Sequence, residues 1–154
     1  MMTVLMAACL AAGVIEDKVS LQGIKDAKIV YDVTDGDGKA LLNRLDTIDE
    51  TRRSMLEAGT MPHFVISFRG PATKLVQTDM EAVKPEDREY AGKIAKWLLQ
   101  FSKEKGVESL EQCAVAIRHN GTKPENVVPP IKVVANSFVT LMAYQSKGYA
   151  YIRP

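Results

Sequence analysis

The residues that usually build metal sites and disulfide frameworks are scarce in this sequence. Among 154 residues there are two cysteines, Cys9 and Cys113, and two histidines, His63 and His119. The cysteines are far apart in the chain and have no metal-ligand spacing. Neither a disulfide framework nor a four-ligand zinc site is therefore expected. We predict that the protein uses no metal and no cofactor.

An excess of charge of one sign is also lacking. The formal net charge at pH 7 is +1, with 20 Lys and Arg against 19 Asp and Glu. Composition therefore gives no electrostatic reason to expect binding to nucleic acid or to an anionic membrane. No internal repeat or low-complexity segment is present. With 46% apolar and 25% charged residues, the chain has the composition of one globular domain with a sizeable core.

No basic residue precedes the first apolar run, Thr3–Ile15. The length of this run fits the apolar region of a secretory signal better than a membrane span, which needs about 20 residues. The residues before Cys9 also match a lipoprotein cleavage box loosely, in which case Cys9 would carry a lipid anchor. The alternative is an extra helix or strand packed on the domain or on a neighbouring subunit. We favour an export or lipoprotein leader at residues 1–22 and hence a periplasmic or otherwise exported protein, with a cytoplasmic location as the alternative.

Apolar runs and helical periodicity alternate along residues 23–154, which we expect to form a single domain. Short apolar strands are predicted at 27–33, 64–68, 110–113, 131–134 and 149–152. The first two are rich in apolar residues and too continuous for half-exposed strands, which indicates strands covered on both faces of a parallel sheet. Helical spacing is predicted at 41–56, with Arg52 and Arg53 on its solvent side, and at 72–76, 86–101, 114–119 and 138–145. This alternation predicts an α/β fold, with three α/β/α layers and a mostly parallel sheet of about five strands.

Polar residues follow the carboxyl ends of the predicted strands, where open parallel sheets form their binding sites. His63 should lie at the opposite edge, and His119 does not follow Cys113 at helical spacing, so a Cys-His catalytic dyad is not expected. Arg69 and Arg118 are the nearest candidates to stabilise a thiolate at Cys113. The alternative for each is a solvated surface arginine, and for Arg118 this alternative has at least equal weight. The candidate substrate-binding residues are Asp35, Asp37, Arg69, Gly70, Arg118 and Asn136, and Ser137 falls at the same edge.

The loop Asp35-Gly36-Asp37-Gly38 contains two carboxylates and two glycines. It lacks the later ligands of an EF-hand and the flanking glycine and hydroxyl of a Walker A loop. A tight turn in which Asp37 caps the following helix is therefore favoured over a ligand site.

Cys113 is the candidate catalytic residue. It ends a strand-like run and precedes Ala114–Ile117, where a helix is predicted to begin. Backbone N–H groups and the helix dipole at such a junction favour the thiolate and make a cysteine reactive. The alternative, a small buried hydrophobe, is the more usual role of an isolated cysteine.

Several segments resemble the DsrE/DsrF-like family. The closing heptapeptide is the most specific of them, and the resemblance covers about residues 27–154. The interval from Gly106 to Cys113 is slightly longer than the usual family spacing. The matching segments are Cys113-x-x-Ala116-Ile117-x-x-x-Gly121, Val127–Val134 and Gly148-Tyr149-Ala150-Tyr151-Ile152-Arg153-Pro154, with Lys28–Asp37 and Arg69-Gly70-Pro71 at the first two strand ends.

The resemblance implies a flavodoxin-like α/β subunit that assembles into homotrimers or homohexamers. Better-studied relatives act in sulfur relay and carry sulfane sulfur as a persulfide on a cysteine, and Cys113 occupies the matching position. The implied function is a sulfur carrier or sulfurtransferase-like protein that works with a sulfur donor or acceptor protein. The alternative is a non-catalytic oligomeric module of the same fold that binds a small ligand in the strand-end cleft.

Aromatic residues crowd the C-terminal segment, which is predicted to end in an edge strand. Exposed aromatic side chains on an edge strand favour a subunit contact over a monomer. The alternative is that the tyrosines only cover the end of the core. Because the relatives are trimers and hexamers, the resemblance favours assembly.

Overall fold

The computed structural model describes residues 17–154. Most of the predicted leader, including Cys9, therefore lies outside the described residues. The strands are β1 Asp26–Val33, β2 Met61–Phe68, β3 Val107–Cys113, β4 Lys132–Val134 and β5 Ala150–Ile152. The helices are α1 Gly38–Glu57, α2 Arg88–Phe101, α3 Ala114–His119 and α4 Ser137–Ser146. Short 3₁₀ turns occupy Gly70–Lys74, Met80–Ala82, Pro85–Asp87 and Pro124–Asn126, so the segment predicted as a helix at 72–76 is instead a tighter turn that begins earlier.

The five strands form one sheet in the order β4-β3-β2-β1-β5. Every neighbouring pair is parallel, so all the strands end at the same edge of the sheet. Helices cover both of its faces. The predicted three-layer α/β/α class, with a parallel sheet of this size, is confirmed.

Most of the hydrophobic core lies between the sheet and the pair α1 and α2. Leu41, Leu45 and Ile48 recur at helical spacing on α1 and are buried, as are Ile94 and Leu98 on α2. Each such side chain contributes about 1.5–3 kcal/mol by leaving water. This apolar packing holds α1 and α2 on one face of the sheet, and α4 lies on the other face.

The opposite face has a small apolar centre and a polar margin. Val30 and Val65 pack against Leu141 of α4. Two residues further along their strands, Asp32 pairs in register with Ser67, which is also buried. Because side chains alternate between the faces of a strand, these polar groups lie on the α4 side, next to the strand ends. A buried carboxylate at this place needs a charged partner, which the candidate site supplies.

A bulge accommodates the additional length before Cys113. Val107 pairs with Phe64, and the next residue of β2 pairs with Ser109, so Glu108 is an extra residue in β3. From Ser109 onward the pairing is regular up to the cysteine. The longer interval in the sequence therefore leaves Cys113 at the strand end, in register with its neighbours.

The prediction that Arg52 faces solvent is wrong. Arg52 is 5% exposed, and its guanidinium forms ion pairs with Asp49 at 2.8 Å and Glu104 at 3.1 Å. It also lies 5.9 Å from the ring centroid of Phe101. Arg52 is buried because the chain leaving α2 folds over this part of α1 and provides the partners that a buried cation requires.

Candidate functional site

Cys113 lies where β3 ends and α3 begins, and its sulfur faces the start of α4. The backbone N–H of Ser137, the first residue of α4, donates to the sulfur at 3.3 Å. The backbone N–H groups of Val115 and Ala116, in the first turn of α3, also interact with it. The predicted position at a strand-to-helix junction is confirmed, and the first turn of a second helix contributes as well.

The surroundings of the sulfur favour its ionised form. Burial raises the pKa of the Cys113 thiol, but hydrogen bonds from the side chain and backbone of Ser137 and from the backbone of Ala116 and Val115 lower it. The net shift of the pKa is downward. Since the thiolate is the nucleophilic form, Cys113 has the electrostatic setting of a reactive cysteine although it is only 4% exposed.

A cleft of about 260 Å³ opens beside the sulfur. Its walls are mostly apolar, and its polar groups come from the loops after β2, α3 and β4. The residues that line it are Arg69, Gly70, Cys113, Val115, Ala116, His119, Asn120, Asn136, Ser137 and Phe138. The cleft is therefore built at the carboxyl edge of the sheet, as the sequence predicts.

Arg69 is held at the cleft by a buried carboxylate. Asp32, which is 1% exposed, accepts from Arg69 Nε at 2.7 Å through Oδ1 and from Nη2 at 2.5 Å through Oδ2. The hydroxyl of Tyr151 on β5 donates to the same Oδ2 at 2.6 Å. The ring of Phe138 lies 5.2 Å from the guanidinium carbon of Arg69, close enough for a cation–π contact. These contacts fix the guanidinium between the sheet and α4.

Asn120 joins α3 to the turn after β2. Its Nδ2 donates to the carbonyl oxygen of Ala116 at 2.8 Å and to that of Gly70 at 3.1 Å. Gly70 has a φ of +56°, a left-handed conformation that glycine adopts without strain. This connection holds the two loops on either side of the cleft at a fixed distance.

The structure brings together four of the predicted site residues, Cys113, Arg69, Gly70 and Asn136, all of which line the cleft together with the predicted edge residue Ser137. Asn136 also caps α4, since its side chain accepts from the N–H of Phe138. The remaining three, Asp35, Asp37 and Arg118, are not among the residues that line the cleft.

Those three residues have other roles. Asp37 accepts from the N–H of Ala40 at 2.7 Å and so caps α1, which confirms the turn interpretation of its loop. Asp35 faces Arg44 at 3.8 Å. Arg118 is exposed on α3. A position near a strand end did not suffice to place these side chains in the cleft, because each follows the direction of its own turn or helix.

Asp32, Tyr151, Phe138 and His119 take part in the site or its support, but sequence reasoning did not assign them to it. A signal for Asp32 was available, since it is an acid near the end of an otherwise apolar buried strand, where an ionised group requires a partner. His119 lines the cleft and is exposed. Nothing in the local sequence pattern indicated that α4 would bring Phe138 against the guanidinium.

His63 lies at the opposite edge of the sheet, as predicted. Its Nδ1 is 2.7 Å from Glu108 Oε1 and its Nε2 is 3.0 Å from Asp26 Oδ1. A hydrogen bond to Asp26, which has the larger effect, and a second one to Glu108 raise the pKa of His63. Tyr149 donates to the other oxygen of Glu108. This cluster therefore joins three strands and the C-terminal segment away from Cys113.

Two further observations concern residues 17–154. No group of three or more His, Cys, Asp and Glu side chains in this range is arranged to hold a metal ion. No helix within the same residues combines the length and apolar character needed to cross a membrane.

Comparison with known proteins gives relatives without assigned activities. No family model matches the chain. An "Uncharacterized protein" of Aquifex aeolicus (strain VF5) is 30% identical over 125 residues, which are 81% of this chain and 55% of that protein. The chain thus spans about half the length of this relative.

A solved structure supports the fold. It is the protein of unknown function MTH1491 from Methanobacterium thermoautotrophicum, with a TM-score of 0.63 and 18% sequence identity. The match covers 84% of this chain and 100% of that one. At this level of identity the likeness concerns the fold alone, and it agrees with the small α/β architecture described above.

Proposed function

We propose that the protein is a sulfur carrier or sulfurtransferase-like protein of the DsrE/DsrF-like kind, and that Cys113 carries sulfane sulfur as a persulfide. The observation that carries this proposal is the hydrogen bonding of the Cys113 sulfur by Ser137 and by the first turn of α3, beside an open cleft. These contacts stabilise negative charge on sulfur. They therefore favour Cys113 as the attacking thiolate and as the thiolate that leaves when an acceptor takes the outer sulfur of the persulfide.

The proposed chemistry needs no external oxidant. The Cys113 thiolate attacks the sulfane sulfur of a donor, a new S–S bond forms, and the donor's S–S bond breaks with its electron pair remaining on the leaving group. In the second step an acceptor thiolate attacks the outer sulfur and Cys113 leaves as a thiolate. Stabilisation of the thiolate accelerates both steps, because it provides the nucleophile in the first and the leaving group in the second.

Burial of the sulfur fits a carrier. At 4% exposure, Cys113 contacts solvent almost solely through the cleft, whose size admits a small donor or the end of an extended chain. Access of this kind protects a persulfide from bulk thiols while leaving it open to a partner that reaches into the cleft.

The test is sulfur loading followed by intact mass measurement. Cys9 is the only other cysteine of the chain, so Cys9→Ser gives a protein with Cys113 alone, and Cys113→Ser in the Cys9→Ser background is its matched control. Incubation with inorganic polysulfide should add sulfur to wild type and to Cys9→Ser but not to the double variant. Equal addition to the double variant, or none to Cys9→Ser, would contradict the proposal.

The mostly apolar walls of the cleft favour a second candidate function, a non-catalytic module that binds a small ligand. Under this alternative the cleft would take up an apolar fluorescent probe while Cys113 stays inert to iodoacetamide and to sulfur donors. Rapid alkylation of Cys113 together with sulfur loading would exclude it.

We further propose that the protein is exported and that it assembles into trimers or hexamers. Support for assembly comes from the outer face of α4, where Phe138, Val139 and Met142 are 65%, 59% and 56% exposed, and from Tyr151 and Ile152 on the edge strand. Exposed apolar side chains that adjoin one another are typical of subunit contacts.

Export is tested by N-terminal sequencing of the protein from its native cell, where an unmodified Met1 would contradict a cleaved leader.

A further inference from the structure

Asp32 holds the guanidinium of Arg69 in one orientation beside the cleft. Asp32 is buried inside the sheet, and a buried carboxylate is stable only when it is paired. Asp32 receives two N–H bonds from Arg69 and a hydrogen bond from the hydroxyl of Tyr151. These three donors satisfy the buried carboxylate, and the carboxylate in turn holds one side of the guanidinium in a fixed orientation.

The Arg69 side chain also lines the cleft. Arginine has five N–H donors; Asp32 accepts from two of them, and the hydroxyl of Tyr151 also interacts with the guanidinium. The Arg69 side chain is 23% exposed, and both it and the Phe138 ring under it line the cleft together with Cys113. The hydrogen bond from Arg69 to Asp32 raises the pKa of Arg69, so the group stays cationic at any working pH.

We propose that Arg69 recognises the leaving group of the sulfur donor, and that this leaving group is an oxyanion of sulfur. The inference rests on the proposed persulfide function of Cys113 and names its substrate class: a donor in which sulfane sulfur is bonded to an oxidised, oxygen-bearing sulfur. Thiosulfate and organic thiosulfonates share this chemistry. Asp32 and Tyr151 are positioning residues that act through Arg69.

The step balances without a further reactant. The Cys113 thiolate bonds to the sulfane sulfur, and the bond between that sulfur and the oxidised sulfur breaks. The electron pair of the broken bond leaves on sulfite when the donor is thiosulfate, or on a sulfinate when the donor is a thiosulfonate. Oxygen atoms of the leaving group accept hydrogen bonds from planar guanidinium donors, as carboxylates and phosphates do.

The experiment compares loading rates of Cys113 from three donors, followed by intact mass. Thiosulfate and benzenethiosulfonate release sulfur oxyanions, and inorganic polysulfide releases sulfide species without oxygen. Arg69→Gln should slow loading from both oxyanion donors by about 10- to 100-fold, the range for loss of a hydrogen bond to a charged group. Loading from polysulfide and alkylation by iodoacetamide should stay close to wild type.

Two further variants separate recognition from folding. Arg118→Gln removes an exposed arginine of α3 that does not line the cleft, and it should leave all donors unaffected. Tyr151→Phe keeps the ring and removes one hydrogen bond to Asp32, so it should slow the oxyanion donors selectively by about 3- to 10-fold. Because Tyr151 is 43% exposed, this variant tests the idea even where Arg69→Gln does not fold.

The possible results distinguish the oxyanion inference from the persulfide function on which it rests. Selective slowing with the oxyanion donors supports the inference. A preference for benzenethiosulfonate then indicates that the apolar walls hold an organic arm, and a preference for thiosulfate indicates that they do not. Equal slowing of all reagents by Arg69→Gln, or polysulfide loading of wild type without loading from either oxyanion donor, overturns the inference and leaves the persulfide function standing. Failure of every donor on wild type overturns the persulfide function itself.

Discussion

Replacing Ser137 with Ala should make Cys113 less reactive without disturbing the fold. Ser137 is the first residue of α4, is 1% exposed, and lowers the pKa of the Cys113 thiol through both its side chain and its backbone. The substitution removes the hydroxyl and keeps the backbone N–H that donates to the sulfur at 3.3 Å. The loss is therefore confined to one hydrogen bond.

The expected change in the amount of Cys113 thiolate follows from the strength of that hydrogen bond. Hydrogen bonds to charged groups contribute about 1.5–3 kcal/mol, and sulfur is a weaker acceptor than oxygen, so the lower figure applies. A loss of about 1.4 kcal/mol is a tenfold change in an equilibrium constant. At a pH where wild-type Cys113 is mostly protonated, Ser137→Ala should hold about one tenth as much thiolate.

The assay is the rate of Cys113 alkylation by iodoacetamide as a function of pH, in a Cys9→Ser background. The midpoint of the profile should move to higher pH in Ser137→Ala. The control is Ser146→Ala, which makes the same substitution at the exposed last turn of α4. An unchanged midpoint in Ser137→Ala, or an equal change in Ser146→Ala, would refute the role assigned to these contacts.

Three other predictions follow from the described contacts. Asp26 and Glu108 raise the pKa of His63 above 6.5, so the stability that these partners contribute should be complete below pH 6.5 and lost as pH rises through the folded-state pKa. Denaturant unfolding should show this pH dependence for wild type and for a His119→Gln control but not for His63→Gln. Gly106→Ala should destabilise by more than ~2 kcal/mol, because φ is +89° and the new Cβ would lie 2.5 Å from a proline ring, whereas Gly92→Ala in the open interior of α2 should stabilise by about 0.5–1 kcal/mol; a similar effect of both in thermal unfolding would contradict the account. Light scattering should give the mass of three or six subunits for wild type and of a smaller species for Val139→Glu, and a monomeric wild type would end the assembly proposal.

The sequence predicts the order of the elements well because each strong local pattern here agrees with the fold. The largely apolar strands, the apolar stripes of the helices and the cap at Asp37 are each decided by nearby residues, and the structure confirms them. The position of Cys113 at the end of β3 is of the same kind, since a strand end and a helix start are both local events.

The features that could not be predicted from the sequence depend on contacts between distant segments. Arg52 is buried because the chain after α2 folds over it. The support of Arg69 joins β1, the loop after β2 and the C-terminal strand, with Asp32 and Tyr151 separated by most of the described chain. No periodicity links such residues, although an acid inside an apolar strand is a sign that a cation is needed nearby.

The central claim is that Cys113 carries and releases sulfane sulfur, and cyanide tests it most directly. Cyanide attacks the outer sulfur of a persulfide, forms thiocyanate and leaves the cysteine as a thiolate. Protein loaded with a sulfur donor, freed of excess reagent and treated with cyanide should release thiocyanate in an amount equal to the loaded chain, and its mass should return to that of the unloaded protein. Thiocyanate in the same amount from Cys113→Ser, or none from wild type, would contradict the claim.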